Sequence, residues 1–230
     1  MKLSNEAPPN PIESPWKTRP PSSARAKGKF IVLEGIDGAG KTTQGRLLAQ
    51  CLTSRGSTVV LTAEPSDGPE GVLLRSLKTR LTPEEEARLF TEDRRHHVKH
   101  VIGPSLEAGF VVICDRYVYS SVAYQGARGI DQKRIISWNK PFLVAPNVIF
   151  LLELPVDLAL DRIGTGRFEG SSPFEGRDNL EAVDAIYRRL VDPLIQRIDS
   201  RGDQEAVHDS IVRALAALPE FAEFRLLSKA

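Results

Sequence analysis

The stretch "FIVLEGIDGAGKTTQ", Phe30 to Gln44, carries four apolar residues into a glycine-rich turn and then into a lysine, two threonines and a helical pattern. Gly35 to Thr42 satisfies G-x-x-x-x-G-K-[ST]. Glycines let backbone N–H groups converge on a phosphate, and the helix that follows presents its positive end there. Lys41 is placed to reach the β/γ-phosphates and the Thr42 hydroxyl to join a Mg²⁺ shell. The triphosphate-binding residues are therefore expected to be Gly35, Gly38, Ala39, Gly40, Lys41, Thr42 and Thr43. The loop points to a nucleoside triphosphate but is silent about the reaction.

Outward from this loop, further short apolar runs occur at Val59–Thr62, Phe110–Cys114 and Val148–Leu152, with a weaker one at Leu194–Ile198. They are continuous rather than alternating, as strands covered on both faces must be. Helical patterns at Lys41–Ser54, Pro83–Ile102 and Asp178–Val191 lie between them. This alternation predicts an α/β chain with a central five-stranded parallel sheet flanked by helices in three layers. Ligands bind beyond the carboxyl ends of such strands. Asp115-Arg116-Tyr117 follows the third run, so Asp115 is a candidate Mg²⁺-organising carboxylate with Thr42, and Arg116 a candidate for neutralising phosphoryl charge.

The helix from Pro83 puts Phe90, Arg94 and His97 on one face. An aromatic ring with a planar cation one turn away can stack a base and bond its edge. By spacing alone, Phe90 in the core with Arg94 on the surface is the favoured reading. Arg162 to Arg177, "RIGTGRFEGSSPFEGR", interrupts the helical pattern and reads as a lid over about 162–177, in which Arg162 and Arg167 are candidate catalytic cations.

Composition narrows the rest. The 230 residues carry a net charge of +1, which gives no support to a nucleic-acid polymer or an anionic membrane as partner. Apolar runs fall far short of the roughly 20 residues a membrane span needs. Cys51 and Cys114 lie in apolar surroundings, consistent with a reducing, cytoplasmic setting. Residues 1–28 hold six prolines and no apolar signal core, and read as a disordered tail. A transit peptide is the alternative, opposed by Glu6, Glu13 and the proline density. The domain is expected over 29–218, leaving 219–230 as a C-terminal tail available to the body or to a second subunit.

Five ordered segments together resemble the thymidylate kinase family: Phe30–Gln44, "EPSDGPEG" from Glu64, "LFTEDRRHH" from Leu89, "DRYVYSSVAYQG" from Asp115, and Phe174-Glu175, Leu180, Val183 and Tyr187. "EPSDGPEGVLLR" and "NKPFLVAPNVIFL" look most like its archaeal-style branch. The resemblance implies a phosphate-binding-loop kinase fold with a short lid, transfer of a phosphoryl group from Mg·ATP to dTMP, and a homodimer. It further implies that Phe90 stacks on thymine, Arg94 binds the base edge, and Arg75 and Arg116 contact the dTMP phosphate. Asp37 is implied near the acceptor sugar or the transferred phosphoryl, and Tyr124, with Gln125 beside it, against the deoxyribose. Gly38 and Ala39 stand where some members carry a loop arginine, so Arg162 and Arg167 would have to supply one. Ala63 replaces an arginine often found before the Glu-Pro pair, which weakens the carry-over to Glu64.

Other readings stay open on residues alone. A kinase for another nucleoside monophosphate, or for a nucleoside, shares all the phosphate chemistry. A guanine switch needs N-K-x-D, and Asn139-Lys140-Pro141-Phe142 lacks the aspartate. A nucleotide-dependent ATPase has little support from the balanced charge.

Overall fold

A computed structural model describes residues 10–16, 28–166, 176–222 and 224. Its strands are β1 (Ile12–Glu13), β2 (Lys29–Glu34), β3 (Val59–Ala63), β4 (Val111–Asp115), β5 (Val148–Glu153), β6 (Leu190–Val191) and β7 (Ile195–Asp199). Its α-helices are α1 (Lys41–Thr53), α2 (Pro69–Ser76), α3 (Pro83–His97), α4 (Gly103–Glu107), α5 (Val118–Ala127), α6 (Gln132–Asn139), α7 (Val156–Gly166), α8 (Arg177–Arg188) and α9 (Gln204–Ala217).

Five strands form a parallel sheet in the order β3-β4-β2-β5-β7, and each matches one expected apolar run to within a residue or so at either end. Phe30, Ile31, Val32 and Leu33 of the central strand are all buried, because helices cover both faces of the sheet. The chain runs outward from β2 to β3 on one side, and β5 lies on the other. The carboxyl end of β2, where its neighbours diverge, is the switch point at which such sheets bind ligands. The Gly35–Thr42 loop stands there.

Helix α1 starts directly after Gly40, whose φ of 94° is left-handed. Its buried stripe includes Gly45, where a Cβ would lie 3.2 Å from Leu33 and 3.3 Å from Leu61, so helix and sheet approach closely. Helix α3 opens with a full capping box between Thr82 and Glu85 and with Pro83 in its first turn. The sequence predicted one helix to Ile102. Instead, a π-helical turn over Val98–Ile102 links α3 to α4, with the Gly103 amide donating to Val98. Pro104 has no amide to continue the regular ladder, which accounts for the wider turn just before it.

Two other differences concern the chain ends. Asp178–Val191 is not helical throughout: α8 stops at Arg188, and Leu190–Val191 form β6, paired in parallel with β1. Residues 10–16 correspondingly depart from the expected disordered tail. Ile12 is buried, and the Trp16 Nε1 donates to Asp192 at 2.6 Å. At the other end, Phe221 and Phe224 are buried in this chain's own core.

Candidate active site

The phosphate-binding loop is shaped by backbone that only glycine accommodates comfortably. Gly38 has φ of 81°, and a Cβ there would come within 2.6 Å of the Ala159 carbonyl on α7. Lys41 is buried and its Nζ donates to the Ile36 carbonyl at 2.8 Å, so the ammonium is held inside the loop. Burial, and then the nearby Arg116, lower its pKa to about 8, against the opposing pull of Asp115, Asp37 and Glu34.

Asp115 ends β4, and its Oδ2 accepts from the Thr42 hydroxyl at 2.5 Å. Its other oxygen, Oδ1, is buried and has no hydrogen-bond partner among the described residues. A buried carboxylate oxygen left bare beside a hydroxyl fits a hard divalent cation, which prefers such oxygen donors. The two residues expected to hold Mg²⁺ are thus together and chemically suited to it.

Arg116 follows in a left-handed conformation, φ 74°, that is costly for a side-chain-bearing residue. Glu34, at the end of the neighbouring strand, holds this turn. Its Oε1 accepts from the Tyr117 and Ser120 amides at 3.0 and 3.1 Å, so it caps α5 from another strand, and its Oε2 accepts from the Ser120 and Tyr187 hydroxyls at 2.6 and 2.9 Å. Burial pushes the Glu34 carboxyl above its usual range, and the hydrogen bonds from Ser120 and Tyr187 oppose that rise. The Arg116 guanidinium then donates to Asp37 at 2.5 Å and lies 4.9 Å over the Tyr124 ring. Tyr124 completes the triangle by donating to Asp37 at 3.0 Å.

Beside this triangle opens a cavity of about 370 Å³. Asp37, Arg116, Tyr124 and Gln125 line one part of it, and Glu64, Arg75, Phe90 and Arg94 another. Every acceptor-side residue singled out in the sequence therefore meets in one space. Of the two readings of α3, Phe90 in the core with Arg94 outside is the wrong one. Phe90 is half-buried at the cavity wall and Arg94 is only 1% exposed.

The buried guanidinium of Arg94 is tightly held. Its Nε donates to Glu64 at 2.8 Å, Nη1 to the Asn139 side chain at 2.8 Å, and Nη2 to Ser121 and the Tyr117 carbonyl at 2.9 and 3.1 Å. Glu64 thus acts on the cavity through Arg94, and His97 approaches its other oxygen at 3.3 Å. Arg75 is anchored by the Pro65 and Ser66 carbonyls, both at 2.6 Å. Gln125 donates to Glu86 at 3.2 Å, while its own buried carbonyl oxygen has no hydrogen-bond partner among the described residues.

Glu34, Ser120, Tyr187, Asn139 and Glu86 were not found by sequence reasoning as parts of this site. Glu34 lies inside the decisive stretch, where a charged residue among buried apolar ones was the available signal. Asn139 and Glu86 had none, since their partners are distant in sequence.

The expected lid divides differently. Arg167 lies outside the described residues. Arg162, on α7, donates to the Ser200 carbonyl at 2.9 Å and also reaches the Gly202 carbonyl at 3.3 Å, so it is tied to the loop before α9. Among the described residues, no hydrogen bond joins Arg162 to Lys41, Asp115 or Arg116.

Comparison with known proteins identifies the family. A family model described as thymidylate kinase matches residues 33–211. The chain is 42% identical to a thymidylate kinase of Brachyspira hyodysenteriae over 191 residues, covering 82% of this chain and 94% of that one. It is 44% identical to a probable thymidylate kinase of Thermococcus kodakarensis over 203 residues, covering 82% and 98%. With a thymidylate kinase of Desulfotalea psychrophila the identity is 40% over 198 residues, covering 85% and 98%. Bacterial and archaeal relatives are thus about equally similar, and identity does not separate the branches. With more than half its length matched, the chain belongs to the thymidylate kinase family.

Proposed function

We propose that the protein phosphorylates dTMP to dTDP with ATP as donor, by direct in-line transfer. The observation that carries this reading is the meeting of Phe90, Arg94, Tyr124 and Gln125 with Asp37 and Arg116 in one cavity beside the phosphate-binding loop. Phe90 offers a face for a base, Arg94 a fixed edge donor, and Tyr124 a ring against the sugar. Arg75 and Arg116 are the cations for the acceptor phosphate. Asp37, clamped by Arg116 and Tyr124, sits where acceptor and transferred group must approach each other.

Lys41 and the amides of Gly35, Gly38, Ala39, Gly40, Thr42 and Thr43 bind the donor phosphates. Thr42 and Asp115 would hold Mg²⁺, which supplies charge neutralisation between donor oxygens when bound. A phosphate monoester is already nucleophilic at neutral pH, so the residues' task is alignment and charge offset rather than proton removal. Lys41 and Arg116 serve that offset here, with Arg162 and Arg167 as the proposed lid contribution.

Three further assignments belong to the same reading. The homodimer rests on the family resemblance alone. No described helix is long and apolar enough to cross a membrane, and we place the protein in the cytoplasm. The archaeal-style branch rests on the two quoted motifs alone.

The test is ADP release from Mg·ATP with dTMP, dUMP, dCMP, dGMP, UMP, AMP or thymidine supplied separately. Turnover chiefly with dTMP is expected. Preference for another acceptor overturns the cavity assignment and leaves the donor loop standing, whereas equal ADP release without acceptor overturns the kinase reading itself. Light scattering of the purified protein checks the dimer.

A further inference from the structure

Residues 10–16 precede the stretch matched by the family, 33–211, yet they are built into the body behind the acceptor cavity. Ile12 and Glu13 pair in parallel with Leu190 and Val191, and the Ile12 amide donates to the Arg189 carbonyl at 3.0 Å. Arg189 returns two bonds to the Asn10 carbonyl, at 2.8 and 3.1 Å. This two-residue ladder fixes the arm so that Trp16 lands on the first turn of α5.

There the indole makes three contacts. It stacks on Tyr117 with ring centroids 6.5 Å apart and 12° between planes, and meets Tyr119 edge-on at 6.3 Å. Its N–H donates to Asp192 Oδ2 at 2.6 Å, the same oxygen that accepts from the Tyr119 hydroxyl at 2.6 Å. The arm therefore grips residues 117 and 119 from outside the cavity.

From the inside, the same turn carries the acceptor machinery. The Tyr117 carbonyl accepts from Arg94, whose guanidinium lies 5.6 Å over the Tyr117 ring. Ser120 accepts from Arg116 Nη1 at 3.2 Å. Tyr117 thus contacts both Trp16 and Arg94, and it directly follows the strained Arg116. A shift of this turn on losing Trp16 moves both cavity cations, whereas the Lys41 loop is carried by β2 and α1, and β2 meets the turn through Glu34 and Phe30 and not through the arm.

We propose that residues 10–16 brace the acceptor cavity, with Trp16 as a positioning residue that holds the first turn of α5 in place for Arg94 and Arg116. This rests on the dTMP-acceptor reading, and the wild-type acceptor panel tests that reading separately.

The experiment compares full-length Trp16→Ala, Trp16→Phe and wild type in steady-state kinetics with each substrate varied. Trp16→Ala is expected to raise KM for dTMP about 3- to 10-fold, the size of a lost aromatic pair, with KM for ATP within about twofold. Trp16→Phe keeps the stack and is expected to keep the dTMP KM within about twofold. An unchanged dTMP KM in Trp16→Ala, an equal rise for ATP, or Trp16→Phe as impaired as Trp16→Ala each overturns the brace. Should Trp16→Ala fail to fold, a Trp138→Phe chain leaves Trp16 as the only tryptophan. Its emission is expected to change on titration with dTMP and not with ADP; no change with dTMP overturns the proposal.

Discussion

Arg94 Nη1 donates to the side-chain oxygen of Asn139 at 2.8 Å, and both side chains are shut off from solvent, at 1% and 0% exposure. Asn139 is itself fully engaged, with its amide donating to Thr91 and to the Ile135 carbonyl at 3.3 and 2.8 Å. It is the last residue of α6, so that helix reports directly on the edge donor of the cavity. Removing one partner of a buried charged hydrogen bond leaves the other unsatisfied.

Asn139→Ala should therefore destabilise the protein by about 1–3 kcal/mol and raise KM for dTMP severalfold, with KM for ATP nearly unchanged. Denaturant titration and kinetics with each substrate varied check the two parts. A variant that loses stability but binds dTMP as before would confine Asn139 to the fold.

This pair also shows where sequence reading stops. Asn139 and Arg94 are 45 positions apart, and Glu64 and Arg94 are 30 apart. Helical spacing put Phe90 and Arg94 on one face but held no information on which of them faces polar partners. The strands and the phosphate-binding loop were legible because their signals are local: continuous apolar runs, and glycines where the backbone turns left-handed. In sequence, Glu34 looks like a simple strand terminus, an acid at the end of a buried run, whereas its partners come from the start of α5 and from Tyr187 on α8. The prolines around the arm read as disorder, since a two-residue strand has no periodicity to detect.

The Lys41 environment gives a pH prediction. Its pKa lies near 8 in the folded chain against an ordinary 10.5, so between those values the unfolded chain binds more protons than the folded one. Burying the cation opposes folding below about pH 8, and that opposition fades as pH rises towards 10.5. Lys41→Met should accordingly be more stable than wild type at pH 7 without nucleotide, by up to about 3 kcal/mol, with the advantage shrinking above pH 8. Melting curves of both proteins across pH 6–10 test this; a pH-independent difference would contradict the depressed pKa.

Asp115 and Thr42 give a metal prediction. Asp115→Asn keeps the shape and one acceptor but removes the charge that a divalent ion needs. Its Mg²⁺ requirement should rise at least about tenfold in an activity titration, and excess chelator should abolish wild-type turnover. If Asp115→Asn titrates with Mg²⁺ like wild type, the bare Oδ1 has another purpose.

The acceptor base supplies a specificity prediction. Thymine differs from uracil by one methyl, and a methyl in an apolar slot discriminates by only about 1–3 kcal/mol. Turnover of dUMP should be weak but measurable, with kcat/KM about 10- to 200-fold below that for dTMP. Complete absence of dUMP turnover at high concentration would require a rejecting contact beyond an apolar slot.

The two arginines expected in the lid should separate in kinetics, because one of them already has a local task. Arg162 ties α7 to the carbonyls of the Ser200–Gly202 loop, and the phosphate-binding loop packs on the same helix through Gly38 against Ala159. Loosening that tie disturbs the donor side without removing a charge that the structure joins to Lys41, Asp115 or Arg116. Arg162→Ala should then raise KM for ATP more than it lowers kcat. If Arg167 stabilises the transferring group, Arg167→Ala should lower kcat about 10²–10³-fold, the effect of removing one well-placed charge stabiliser. Single-turnover measurements at saturating ATP and dTMP distinguish the two. The reverse pattern, with kcat collapsing in Arg162→Ala and KM shifting in Arg167→Ala, would exchange their roles and require Arg162 to leave the Ser200 carbonyl during the reaction.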